Sequence, residues 1–218
     1  MNTSQWIDFG ISETETALAL LYSYMQFKKM LASENDVNLI NRNPEFWMLH
    51  TGSVQHTLFL YLGRISDDSR GTKSFSGLKN HCIMNVSDFS RDEFLKRKPN
   101  ILSLNESFLN GKVEPTKEDL AKLFKTSSEH NQFLRGACKK IRSEVFAHAI
   151  LTEKHEYSHL FEQVSLERIE SSLLAFWSIS QHLWQCYHNA RTIRVEVLEY
   201  PEKERIFKNT AEAIRGII

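Results

Sequence analysis

The chain has 218 residues, 27 Lys plus Arg against 27 Asp plus Glu, and only 8 Gly and 4 Pro. These counts exclude a collagen-like, disordered or multi-domain chain, and so few turn residues disfavour a sandwich or barrel of many short strands. Zero net charge excludes blanket attraction to nucleic acid but leaves room for a local basic patch, since a few positioned cations suffice to hold phosphates.

A chain of this length buries roughly 70% of its unfolded surface and needs no staple to hold a core. Cys82, Cys138 and Cys186 are odd in number and far apart, which points to free thiols in a reducing compartment. Met1 to Gly10 lacks a basic region followed by an apolar core, and no apolar run approaches the ~20 residues of a membrane span. The expectation is one cytoplasmic domain over 1–218, with a core at about 12–189, an arm at 190–218 and no membrane partner.

In chain order, Ser12 and Glu15 have capping-box spacing, and Ala17, Leu20, Leu21, Tyr24, Phe27 and Leu31 follow at helical intervals, predicting a helix to about Ala32. After a polar stretch, Pro44 opens a second helix carrying Trp47, Val54, Leu58, Tyr61, Leu62 and Ile65, ending near Asp67. Residues Ser69 to Gly77 read as a loop, and Leu78 to Val86 and Ser90 to Lys98 as short helices before Pro99. Thr116 then caps what reads as the longest helix, striped by Leu120, Leu123, Phe124, Asn131, Leu134, Cys138, Ile141 and Val145 to about Ala147. A polar stretch precedes Ser165, the N-cap of a helix carrying Leu166, Ile169, Leu173, Trp177, Leu183, Trp184 and Tyr187. In the tail, Ile193, Val195 and Val197 alternate like a strand, and Glu202 to Ile214 returns to helical spacing. Four long amphipathic helices predict an all-α, up-and-down bundle with short helices and a C-terminal arm that packs on the bundle or on a second subunit.

The segment with the most chemistry is Lys139-Lys140-Ile141-Arg142-Ser143-Glu144-Val145-Phe146-Ala147-His148. On a helix Arg142 and His148 differ by about 240° around the axis and about 9 Å along it, so they flank the apolar stripe from opposite sides and can line a groove beside it. An imidazole titrating near neutrality can exchange the proton of a ribose 2′-hydroxyl or leaving oxygen, and a planar guanidinium can clamp the phosphate. Spacing alone equally allows Arg142 to lay its stem along the core and His148 to cap the helix end.

Context adds to this. An arginine followed, four to six residues later, by a histidine at the end of a long helix in an all-helical chain of this size resembles the HEPN superfamily of nucleotide-binding and ribonuclease domains. The order of elements is similar to the abortive-infection branch: a helix ending in Arg64-Ile65-Ser66-Asp67, a variable middle, the motif helix and a closing helix, over roughly Ser12 to Asn189. The resemblance implies a helical bundle, usually a homodimer with motif pairs facing a shared cleft, and a metal-independent endoribonuclease used as a toxin or antiviral effector. It needs no cofactor, and an antitoxin or regulatory protein is an expected partner. Arg142 and His148 would be the catalytic pair. Arg64 and Asp67 would orient Arg142 or a phosphate, or else form an ordinary end-of-helix ion pair. Lys139 and Lys140 stand nearest the phosphate among the basic clusters, ahead of Arg135, Lys96-Arg97-Lys98 and Lys28-Lys29. Active members usually carry Asn, Asp or His after the arginine, whereas this chain has Ser143, whose hydroxyl reaches less far. A catalytically inactive module that binds a nucleotide or protein is the alternative.

Two metal readings compete. His155-Glu156-Tyr157-Ser158-His159 spells His-Glu-x-x-His, with Glu167 or Glu170 as a third zinc ligand, but its neighbours are polar where zincin helices are apolar. His81-Cys82 with Cys186 and His188 matches no strong zinc template, and buried thiols account for it better. His182 reads as an interface or surface polar group.

Overall fold

The computed structural model describes residues 1–69, 71–99, 114–138 and 164–216, with the side chains of Ala137 and Cys138 outside that description. The first helix, α1 (Thr3–Met30), begins at Thr3 rather than Ser12. Asn2 and Gln5 form the capping box: Asn2 Oδ1 accepts from the Gln5 amide at 2.9 Å, and Gln5 Oε1 accepts from the Asn2 amide at 3.0 Å. Ser12 lies mid-helix, its carbonyl accepting from the Thr16 hydroxyl. The polar stretch that follows contains a helix the periodicity did not announce, α2 (Glu34–Ile40), capped by Ser33. Next, α3 (Pro44–Ile65) has Asn43 as N-cap and Pro44 in the first turn.

Both short middle helices form, as α4 (Phe75–Met84) and α5 (Arg91–Arg97), capped by Ser74 and Ser90 and separated by a 3-10 turn over Val86–Phe89. The helix expected to run unbroken from Thr116 is divided. Its first part, α6 (Lys117–Lys125), has a Thr116–Asp119 capping box. It stops at Thr126 and Ser127, where the hydroxyls of Thr126, Ser127 and Ser128 donate back to the carbonyls of Leu123, Phe124 and Lys125. Three consecutive hydroxyls competing for the carbonyls a helix needs are the physical reason for the break. After it come α7 (Ser128–Phe133) and a π turn over Leu134–Cys138.

The closing helix α8 (Leu166–Asn189) is capped by Ser165 and ends at Ala190, the one described non-glycine residue with positive φ, at 47°. The following segment is irregular and forms no strand among the described residues. Its bonds go to α8: the Leu198 amide donates to Ser178 Oγ at 2.8 Å, and His182 Nε2 to the Glu196 carbonyl at 3.0 Å. Ile193 and Leu198 pack on the core, whereas Val195 and Val197 are exposed. The chain then forms α9 (Lys203–Gly216).

The bundle is organised around α1. Pairs Glu15–Trp177, Tyr22–Glu170 and Ser4–His188 set α8 antiparallel to it, and Glu13–Arg64 with Phe27–Trp47 do the same for α3. Tyr22–Phe207 and Ser23–Thr210 set α9 parallel to α1. Leu18, Leu21, Leu58, Leu62, Leu78, Leu120, Leu123, Leu173, Phe176 and Leu183 form one continuous core. A second, smaller core joins Phe27, Met30, Ile40, Trp47 and Ile214, sealed by Arg215 donating from Nε and Nη2 to the two oxygens of the nearly buried Asp36. At Gly10 a β-carbon would lie 2.7 Å from Ser180 Oγ and 2.8 Å from Leu78 Cδ2, so this glycine lets α1 approach α8 and α4.

Candidate functional site

The foot of α3 is the described part of the expected site. Arg64, in the last turn of α3, is about half exposed and reaches across to α1, with Nη2 2.9 Å from Glu13 Oε1. Its guanidinium also lies 5.3 Å from the centroid of the Tyr61 ring. Glu13 is a charged residue on the buried face of α1; burial raises its pKa, and the Arg64 charge pulls it back down. Its second oxygen is buried and has no hydrogen-bond partner among the described residues. Asp67 Oδ1 accepts the Ser69 amide at 2.9 Å, shaping the turn that leaves α3.

One residue further on, Asp68 meets Arg135 of the π turn, Oδ2 to Nη2 at 2.6 Å. That turn ends at Cys138, so the chain heads into the Arg-x-x-x-x-x-His segment from the foot of α3. Arg142, Ser143 and His148, together with Lys139 and Lys140, lie outside the described residues. So do His155, Glu156 and His159 of the zincin spelling. Arg64 and Asp67 are thus brought beside the entry to the motif, with Glu13 as a neighbour that the motif itself does not contain. The available signal was a carboxylate four residues before Ala17, on the apolar stripe of the first helix.

Cys82 and Cys186 are both buried in the bundle. Burial pushes the Cys82 thiol up to about 12, with the Asp88 charge and the Cys186 thiol adding to it, so it stays a protonated, apolar-like group. The imidazoles beside them face the start of α1: His81 Nε2 lies 2.9 Å from Thr3 Oγ1, and His188 Nε2 lies 3.4 Å from Ser4 Oγ. Among the described residues no group of three His, Cys, Asp or Glu side chains is arranged to hold a metal ion. His182 is buried and ties the C-terminal arm to α8.

The middle basic cluster is engaged in structure. Arg97 donates to the carbonyls of Asp88 and Tyr187 at 2.9 and 3.0 Å and lies 3.8 Å from the Tyr187 ring centroid, while Lys96 pairs with Glu93 at 2.6 Å. No described helix is long and apolar enough to cross a membrane.

The described residues thus form an all-α bundle in which the foot of one long helix meets the turn that precedes the arginine–histidine segment. A sequence model of the HEPN AbiU2 family matches residues 12–207, and the chain belongs to that family. Comparison with curated proteins and with solved structures gives no match.

Proposed function

We propose that the protein is a metal-independent endoribonuclease, acting in the cytoplasm as an abortive-infection effector or toxin, and that a second copy completes its cleft. The observation that carries this reading is the family match, which spans the Arg142 to His148 segment. In the proposed reaction the ribose 2′-oxygen attacks the adjacent phosphorus, the P–O5′ bond breaks, and a 2′,3′-cyclic phosphate and a 5′-hydroxyl result. His148 moves the proton and Arg142 holds the phosphate oxygens as charge develops on them. Ser143 supports the arginine, Arg64 and Asp67 orient Arg142 or a phosphate, and Lys139 and Lys140 steer the RNA backbone. RNA is the substrate, and an antitoxin or regulatory protein restrains the activity.

The test is cleavage of structured RNA in EDTA with analysis of the ends. Wild-type protein is expected to leave cyclic phosphates without added metal. Arg142→Ala and His148→Ala are each expected to slow cleavage by at least about 100-fold, the scale of a lost acid–base catalyst. Undiminished cleavage in either variant, or dependence on zinc, overturns the assignment.

A further inference from the structure

A half-open cleft of about 380 Å³ lies between α1, α3 and the first turn of α8. That volume falls within the roughly 300–1,000 Å³ of small-ligand sites. Its floor includes Leu58 and Phe59, both buried, and its rim carries Tyr24, Lys28, Gln55 and Glu167. Much of that rim is uncommitted. Neither the Tyr24 hydroxyl nor the Gln55 amide makes a hydrogen bond to a described residue, although both side chains are half-buried. Lys28 is exposed, and its ammonium sits 5.9 Å from the centroid of the Tyr24 ring. Glu167 accepts from the Ser165 hydroxyl through Oε2 at 2.6 Å, and that bond, its own backbone amide and the Lys28 charge hold its carboxyl below the usual range.

An apolar floor with an aromatic ring, bordered by one amide, one phenol and one carboxylate, suits a flat heteroaromatic ring whose edge both donates and accepts. A cation at the lip suits a phosphate attached to that ring through a sugar. We propose that this cleft is a subsite for one unpaired base of single-stranded RNA, with Gln55 reading the base edge, Leu58 and Phe59 against its ring and Lys28 on the neighbouring phosphate. The inference rests on the ribonuclease reading for its choice of ligand.

The test uses the full-length wild-type chain with a short 2′-O-methyl oligoribonucleotide, which binds without being cut, and with each of the four nucleoside 5′-monophosphates. Saturable oligonucleotide binding with a preference among bases is expected. Gln55→Leu should weaken it at least tenfold and flatten the preference, whereas Lys28→Met should weaken all sequences alike. Lys28 is exposed, so its variant keeps the fold and reports even where Gln55→Leu does not. Absence of saturable binding, or affinities unchanged in both variants, overturns the subsite. Binding of monophosphates without the oligonucleotide overturns it as well, by making the cleft a free-nucleotide site. Cleavage is read separately through Arg142→Ala and His148→Ala. Cutting that is indifferent to Gln55 and Lys28 removes the subsite and keeps the nuclease; variant-sensitive binding without cutting does the reverse.

Discussion

Glu13 and Arg64 form a pair with unequal surroundings, one oxygen-bearing group nearly buried and one guanidinium half in water. Removing the arginine leaves the carboxylate in the bundle without its countercharge, a situation that costs about 3–5 kcal/mol when both partners are fully buried. Because the Arg64 guanidinium is half exposed, Arg64→Ala is expected to cost a smaller amount, about 1–2 kcal/mol. Glu13→Gln in the same chain should recover most of it, since a neutral amide carries no such burden. Denaturant unfolding of the four proteins of this cycle measures the coupling, and additive losses would show that the pair does not act as a unit. Glu13 was legible in the sequence only as a charged residue out of place on an apolar stripe; its partner, 51 residues away, was visible only as part of a helix end.

At the scale of elements, caps and stripes located most of the helices. Pro44, Ser90, Thr116 and Ser165 each stand at the helix starts the sequence indicated. The start of α1 was misplaced because two capping boxes compete there: Asn2 with Gln5 makes the cap, and Ser12 with Glu15 has the spacing without the break. The division after Lys125 was hidden for the opposite reason, since an apolar stripe continues across a turn whose hydroxyls have taken the helix carbonyls. The close approach of α1 to its neighbours gives a sharp test. Gly10→Ala puts a methyl group inside contact distance of Ser180 and Leu78, and is expected to destabilise the fold by about 1–3 kcal/mol, the usual range for overpacking. Ser180→Gly in the same chain should restore part of this, and a thermal unfolding midpoint unaffected by Gly10→Ala would show that α1 and α8 can part without loss.

For the whole molecule, three half-buried imidazoles share a direction. Burial lowers the pKa of His81, His130 and His188 below the usual 6.5, with Asp88, Glu129 and Asp8 respectively opposing it. Each is therefore more readily protonated in the unfolded chain than in the fold. Their contribution to stability is present above about pH 6.5 and is lost as pH falls from there through the lower folded values. Unfolding midpoints measured from pH 7.5 down to 5.5 are expected to fall, and the triple His→Gln variant should show a flatter profile. The class of fold was legible from composition and helical spacing because those depend on the whole chain. The grouping of Arg64, Asp68 and Arg135 was not, because it depends on how the foot of α3 meets a turn some seventy residues later.

The partners of α1 have a bearing on how the molecule is made. Its N-terminal turn touches His188, its middle touches Trp177 and Glu170, and its last turns share a core with Ile214. During synthesis α1 must therefore wait for α8 and α9 before its apolar side is fully covered. Such distant pairing slows folding and leaves sticky surface bare on the growing polypeptide. For a protein whose proposed activity harms its own host, this delays assembly of the finished bundle until α9 has been made.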